Sequence, residues 1–319
     1  MSVATCTICK RRNAFFFRPY SREKLCKRCF IESVEEKVRA TIAKYQMLEF
    51  DDRIAVAVSG GKDSVSLLHI LANMEQNYPK ASLVAITVDE GIRRYRDEAL
   101  KIAAENCKKL DIEHHTASFK ELYGYTLDEI IKHLKKGKNK LTPCAYCGVL
   151  RRKALNIVAR DVKADKLATA HTLDDETQTI LLNILHGSPL RIARVKPLTD
   201  KAHPKLVQRI KPFCEIPEKE TTLYAYAKKI AFQSIPCPYA SEALRNDIRL
   251  FLQGMEEKHA GITFTTFRSI AKIRPAIAKI ARKEELNECS ECGEPTTERM
   301  CKACQMLQQL GTRQCPLHA

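Results

Sequence analysis

Residues 53–64 read RIAVAVSGGKDS, and the fold follows from how this string divides. The first six form a short apolar, β-branched run, which predicts a buried strand. Ser59, Gly60 and Gly61 then allow a tight turn. Asp63 and Ser64 open the segment DSVSLLHILANMEQ, whose apolar residues recur at helical spacing. A strand that passes through a glycine turn straight into a helix aims the helix's unpaired N–H groups at the turn, where they and Lys62 can hold a phosphate. The string is not a Walker A loop, which needs G-x4-G-K-[ST].

Outward from this unit the pattern repeats. LVAITV (83–88), EHHTAS (113–118) and KLATA (166–170) are further short strand-like runs, and helical segments such as RDEALKIAAENCKKL (96–110) separate them. Strand alternating with helix predicts an α/β fold, a doubly wound parallel sheet. After about residue 217 the pattern turns helical, in EKETTLYAYAKKI, SEALRNDIRLFLQGMEEKH and TFRSIAKIRPAIAKIARKEEL. At 319 residues the chain exceeds what one core usually serves, so a main domain with appendages is expected.

Composition narrows the function. An apolar content of 45% excludes global disorder. Charge interrupts every apolar run before the roughly 18 residues of a membrane span. The opening MSVATCTICKRRNAFFFRPY lacks the apolar core of a signal peptide, so a cytoplasmic protein with no membrane association is expected. A net charge of +16 points to a polyanionic partner, nucleic acid first. The basic runs KHLKKGKNK (132–140) and RIARVK (191–196) read as solvated faces that a phosphate backbone can contact.

Fourteen cysteines in a reducing compartment suggest metal ligands rather than disulfides. Cys6, Cys9, Cys26 and Cys29 form C-x2-C-x16-C-x2-C, and Cys289, Cys292, Cys301 and Cys304 repeat the pattern with an eight-residue spacer. Both predict closed, structural zinc sites, one at each end of the chain. A third pair, Cys144 and Cys147 in LTPCAYCGVLRR, has no second pair near it, and its further ligands are open on spacing alone. Cys107 falls in an amphipathic helix and reads as core, and Cys315 in the tail RQCPLHA reads as a free thiol. His114 and His115 alternate faces of a strand, which argues against a shared metal site.

With these motifs assembled, the chain resembles the N-type ATP pyrophosphatases, whose pyrophosphate loop is SGGKDS and which adenylate a substrate. Within that superfamily it looks like the TtuA-like tRNA 2-thiolation enzymes and their wobble-uridine relatives. The resemblance covers nearly the whole chain. It rests on the terminal fingers, AVSGGKDS (57–64), VDEGI (88–92), PCAYCGVLRR (143–152), ATAHTLDDETQT (168–179), RIKPFCEIPEKE (209–220) and PCPYA (236–240). Fingers at both ends separate it from the TtcA type. The resemblance implies an N-terminal zinc finger (1–32), a PP-loop ATP pyrophosphatase domain (33–215), a helical continuation completing the cluster site and tRNA surface (216–283), and a C-terminal zinc finger with tail (284–319).

The resemblance further implies a [4Fe–4S] cluster on Cys144, Cys147 and Cys237, with one iron open to a sulfide. The competing reading is a third structural zinc with Cys214 as fourth ligand; Cys214 stands where the family pattern has an apolar residue. The implied reaction uses ATP and Mg²⁺ to adenylate uridine O2, then replaces the oxygen with sulfur, releasing AMP and pyrophosphate. Ser59, Gly60, Gly61, Lys62, Asp63 and Ser64 are expected to hold the phosphates, with Asp63 anchoring Mg²⁺. The backbones of Ala57, Val58, Ile86 and Val88 are expected to meet the adenosine, Arg151 the α-phosphate, and Ala170 and His171 the same crevice. Ala170 and Thr172 replace the glycine and asparagine usual in the family. Of Asp174 and Asp175, one can cap the following helix while the other works, and Asp175 is the expected catalytic residue beside Asp63 and Arg151. The implied partners are tRNA, a ubiquitin-like sulfur carrier with a C-terminal thiocarboxylate, and a second copy in a homodimer. Wobble and T-loop uridines are both open as targets. Two alternatives remain, a non-redox adenylating tRNA-modifying ligase with structural zinc at the middle cysteines, and a zinc-ribbon RNA scaffold, which has no use for a pyrophosphate loop.

Overall fold

The computed structural model describes residues 4–136, 141–239, 244–280 and 285–310. A short antiparallel hairpin, β1 (Phe16–Arg18) and β2 (Glu23–Leu25), leads into α1 (Lys27–Lys44). The α/β core follows as β3 (Arg53–Ala57), α2 (Lys62–Glu75), β4 (Ser82–Asp89), α3 (Arg96–Lys109) and β5 (Glu113–Ser118). Then come α4 (Phe119–Tyr123), α5 (Leu127–Lys136), α6 (Pro143–Asp161), β6 (Lys166–Ala168), α7 (Leu173–Leu185), α8 (Pro189–Ala193) and β7 (Gln208–Ile210). The chain closes with α9 (Glu218–Lys228), α10 (Leu244–Lys258), α11 (Ile262–Ile280), the small hairpin β8 (Asn287–Glu288) and β9 (Pro295–Thr296), and α12 (Lys302–Gln308).

The central sheet runs β5-β4-β3-β6-β7 and every pairing in it is parallel. The chain builds outward from β3 to β4 and β5, then returns to the other side of β3 with β6. That reversal opens a crevice beyond the C-terminal ends of β3 and β6, where a doubly wound sheet takes its ligand. Ile54, Ala55 and Val56 of β3 are all buried, as helices covering both faces require. The four expected strands are present. The fifth, β7, was not expected: three residues with a central arginine give no apolar run, and only pairing with β6 makes them a strand.

Both cysteine quartets pack onto the body of the protein. Phe16, Leu25, Cys6, Cys26, Cys29 and Phe30 of the first cysteine quartet's unit share one buried core with β3, α2 and α9. The second quartet packs with Tyr123, Ile130, Tyr146 and Leu150 of α4, α5 and α6. Cys107 is in the main core, as its helical position suggested. His114 bonds Thr87 and His115 bonds Glu113, so the two rings share no site.

A buried ion pair clamps the first hairpin to the body. Arg18 donates to Glu220 on α9 through Nε (3.1 Å) and Nη2 (2.8 Å), and both residues are buried. Arg18 also reaches Glu23 at 2.8 Å, and Tyr20 and Lys37 bond to Glu220 from the rim. Removing the carboxylate leaves a buried guanidinium with only Glu23 at the rim and the Ser33 hydroxyl to accept from it. Glu220→Ala is therefore expected to cost about 3 kcal/mol of unfolding free energy, measured as a lower urea midpoint at unchanged slope. A loss below about 1 kcal/mol, the level of a surface pair, would contradict this account.

Candidate active site

The phosphate loop sits at the end of β3. Gly60 has φ +85°, and a Cβ there would lie 2.4 Å from the Ala99 carbonyl oxygen of α3, so this position admits only glycine. Gly61 has ordinary extended backbone and caps α2 without any side-chain cap, which leaves the first N–H groups of α2 open to an anion. The loop braces itself: the Ser59 N–H donates to Ser64 Oγ at 3.0 Å, and Ser64 Oγ–H donates to the Gly61 carbonyl at 2.9 Å. Ala57 is half-buried at the strand end. The Val58 N–H is spent on the Ile86 carbonyl, and the Val58 carbonyl accepts from Thr87. Val88 is also buried, and its carbonyl accepts from Arg96.

Carboxylates gather on one side of the loop. Lys62 Nζ donates to Asp63 (2.7 Å) and to Glu218 (2.8 Å), and Thr221 donates to the other Asp63 oxygen. Burial raises the pKa of Asp63, with Lys62 opposing. The Glu218 N–H in turn donates to Asp174 at 2.7 Å. Burial pushes the Asp174 carboxyl up to about 6, and the charges of Glu218 and Asp175 add to the shift. The capping role falls to Asp175. Its Oδ2 accepts from the Thr172 N–H while Thr172 Oγ accepts from the Asp175 N–H, closing a reciprocal box at the start of α7. Asp175 Oδ1 lies 3.7 Å from Arg245.

His171 Nδ1 lies 3.0 Å from Thr169 Oγ, next to partly buried Ala170. Burial, then the charges of Lys211, Arg209, Arg151 and Arg245, pushes its pKa down to about 3. Its outer edge nevertheless meets solvent. His171 is itself exposed and follows the C-terminal end of β6, where the crevice of the sheet opens. The cleft is basic: Arg152 is lowered by burial and by Arg151, Arg245 and Arg191, and Arg209 is lowered to about 10 by burial and Arg152. The basic run 132–140 lies partly outside the described residues, as does Cys315.

Beside the loop, α6 begins with Thr142 as its cap and Pro143 in its first turn. Cys144 is exposed and Cys147 half-buried. Cys144 Sγ lies 3.3 Å from the Tyr239 carbonyl, which brings the segment carrying Cys237 to the same place. Burial raises both Cys147 and Cys237, and each thiol feels Cys144 and Glu90. The segment before Cys237 is tied to the phosphate loop, because the Gln233 N–H donates to the Gly60 carbonyl at 2.9 Å. Cys214 is elsewhere, fully buried in the main core, where burial raises its pKa and no other cysteine is among its charged neighbours.

A buried carboxylate joins the loop to these thiols. Glu90 faces Arg96 Nε at 2.8 Å, a contact too bent to be a hydrogen bond, and accepts from Arg151 Nη1 at 3.2 Å. Arg96 donates to the Ser59 carbonyl (2.9 Å) and the Val88 carbonyl (2.7 Å). Arg151, one turn after Cys147, is about half exposed; its partial desolvation opposes the charge, and Cys147 and Glu90 outweigh it and raise its pKa. Sequence reasoning missed Glu90, Arg96, Gln233 and Glu218 as site residues. Glu90 carried a signal, since it follows the end of a predicted strand inside VDEGI; Arg96 and Gln233 carried none.

The two cysteine quartets each have their Sγ atoms within 4.8 Å of one another. Cys9 and Cys26 are 3.9 Å apart and Cys292 and Cys301 3.7 Å. Four thiolates at Zn–S distances of about 2.3 Å stand about 3.8 Å apart in a tetrahedron, so both quartets fit zinc. Neighbouring Cys301 and Cys304, and then Lys153 of α6 at 3.0 Å, hold the Cys292 thiol far below its ordinary value. Cys144, Cys147 and Cys237 do not close to that spacing. A cluster interposes its own irons between its ligands and holds them wider apart than one zinc does. A cavity of about 450 Å³ lined by Tyr20, Lys37, Glu215, Phe264 and Arg268 contains none of these residues.

Comparison with known proteins places this geometry in a family. A family model described as a PP-loop domain matches residues 32–255. The cytoplasmic tRNA 2-thiolation protein 1 of Chlamydomonas reinhardtii is 36% identical over 307 residues, covering 96% of this chain and 85% of that one. The tRNA 2-thiolation protein NcsA of Haloferax volcanii is 34% identical, covering 94% and 97%. Among solved structures, the U34-tRNA thiolase NcsA from Methanococcus maripaludis with its [4Fe-4S] cluster superposes with a TM-score of 0.84 at 32% identity, covering 98% of each chain. The chain belongs to the PP-loop family and, within it, to the tRNA 2-thiolation proteins.

Proposed function

We propose that this protein makes 2-thiouridine at the wobble position of tRNA, by ATP-dependent adenylation of uridine O2 followed by sulfur transfer. The observation that carries the reading is the convergence of Cys144, Cys147 and Cys237 beside a phosphate loop, through the contacts of Gln233, Glu90, Arg96 and Arg151. The M. maripaludis relative is a thiolase of the uridine at position 34 and holds a [4Fe-4S] cluster. Three cysteines fit that cluster, and a cluster so held leaves one iron open to a sulfide. The two closed quartets are zinc sites in this reading. Residues 33–215 do the chemistry, and 216–283 complete the cluster site and the RNA surface. The protein works in the cytoplasm, taking sulfur from a ubiquitin-like thiocarboxylate carrier, as a homodimer.

The residues divide the work by their chemistry. The open N–H groups of α2 and Lys62 bind the β- and γ-phosphates, and Asp63 would hold a Mg²⁺ ion, which would offset their charge. Arg151, oriented by Glu90, meets the α-phosphate, where charge builds as O2 of uridine attacks and pyrophosphate leaves. Asp175 uses the oxygen left free by its cap to take the N3 proton that uridine gives up. Sulfur then attacks C2, AMP departs with the oxygen, and N3 regains its proton. His171 stays neutral and orients the base. Arg152, Arg191, Arg209 and Arg245 hold the tRNA backbone around the cleft.

Three outcomes follow. Asp63→Asn is expected to abolish ATP-dependent thiolation, read as thiouridine by nucleoside mass spectrometry, with zinc content unchanged; retained activity rejects the loop's assignment. Cys144→Ala, Cys147→Ala and Cys237→Ala each lose iron, brown colour and thiolation, while Cys214→Ala keeps all three; iron loss in the Cys214 variant restores the four-ligand alternative. Asp174 has a folded pKa of about 6, above its ordinary 3.8, so its ionisation costs stability as pH rises between those values. Asp174→Asn can still accept from the Glu218 N–H, and its melting temperature should exceed that of the wild type above pH 6, with the gain gone by about pH 4. A difference independent of pH would show that this carboxyl titrates normally.

A further inference from the structure

The N-terminal finger turns to solvent a face that neither the core nor the cleft uses. Along β1 the side chains alternate, with Phe16 and Arg18 buried, while Phe15 and Phe17 stand 49% and 50% exposed. Phe17 pairs in register with Lys24 of β2, which is also exposed. Phe15, Phe17 and Lys24 therefore share the outer face of the hairpin. Thr7 donates its N–H and its hydroxyl to the Lys24 carbonyl, which sets the knuckle residue Ile8, 55% exposed, beside the same edge. The Phe15 ring is held in place: it stands edge-on to buried Phe30 with centroids 6.0 Å apart, and Phe30 in turn packs on Phe16 at 5.1 Å.

The surroundings of the rings are basic. Lys10, Arg11, Arg12, Arg22 and Lys24 are all exposed, and among the described residues none of them makes an ion pair. The acid of the hairpin, Glu23, is already engaged by Arg18 and Ser21. Half-exposed aromatic rings framed by unpaired cations match the two parts of an unpaired nucleic-acid strand, since bases stack on rings and phosphates meet cations. Alternate residues of a strand stand about 6.6 Å apart, which leaves room for a base, about 3.4 Å thick, against each ring.

We propose that the outer face of this hairpin is a binding platform for single-stranded RNA, on which Phe15 and Phe17 stack unpaired bases and Lys24, Arg22 and the Lys10–Arg12 run hold the phosphates. The proposal rests on tRNA being the substrate and names where its unpaired nucleotides are held. Ring stacking is insensitive to ionic strength, whereas phosphate contacts release counterions.

Fluorescence anisotropy on the full-length, metal-loaded protein tests it, with an unmodified tRNA transcript and a 12-nucleotide oligouridine (about the length one platform spans) as probes. Phe15→Ala/Phe17→Ala is expected to weaken both complexes by about tenfold or more with an unchanged salt slope. Phe15→Leu/Phe17→Leu keeps apolar bulk and should weaken them similarly. Arg22→Ala/Lys24→Ala should lower the salt slope by about 2. Zinc content and melting temperature verify that the finger stays folded. Unchanged RNA affinity in both phenylalanine variants overturns the proposal, as does a shift in oligomeric state with RNA affinity intact, which would make the face a contact between copies. Phenylalanine-dependent binding of oligouridine without tRNA binding would keep the platform and reject tRNA as the substrate. Tight tRNA binding indifferent to both rings would do the reverse.

Discussion

The site depends on keeping one carboxylate, Glu90, out of water between two arginines. A buried charge is tolerated only when paired, and removing one partner of such a pair costs several kcal/mol. Arg96 answers Glu90 from α3 while gripping the carbonyls of Ser59 and Val88. Arg151 answers it from α6, one turn past Cys147. Two adjacent βα units and the helix of the cysteine pair are thereby held by the same charge. The shape of the phosphate loop and the placing of the thiols are consequences of one another.

Helix α6 extends this coupling to the far end of the chain. Its first two turns carry Cys144 and Cys147, its third faces the second quartet through Lys153, and its last pairs Arg160 with Glu294 at 2.7 Å. Four thiolates around a divalent ion leave two negative charges in excess, which a lysine at the quartet's edge offsets in part. The second quartet thus props the helix that presents the middle cysteines. Gln233 makes the matching connection for Cys237, by bonding the phosphate loop and the Tyr95 carbonyl at once.

The cleft also concentrates like charge. Burial and mutual repulsion lower Arg152 and Arg209, and a net charge of +16 on the whole chain works against compaction. Such an arrangement holds together because ion pairs such as Lys211–Glu176 at 2.8 Å and Lys62–Glu218 break up the field. It also favours a bound polyanion, whose phosphates relieve the repulsion and release their counterions.

The α/β alternation, the phosphate loop and both cysteine quartets were legible because each is local: strand period, helix period and C-x2-C spacing are written in adjacent residues. Edge strand β7 was not, since its three residues become a strand only by pairing with β6. The choice between Asp174 and Asp175 was also undecidable from LDDE, where both stand in the first turn. What each meets is set in space, Thr172 at the cap for Asp175 and the start of α9 for Asp174. The sequence by itself determined which groups the protein owns: a glycine turn before a helix, three sets of cysteines, and a surplus of cations. Only the tertiary structure decided which of them meet, placing Cys214 in the main core apart from Cys147 and Cys237, and Glu90 between Arg96 and Arg151. The reason is that burial and ion pairing act between residues far apart in the chain, and no local pattern records the free energy of a contact made across the fold.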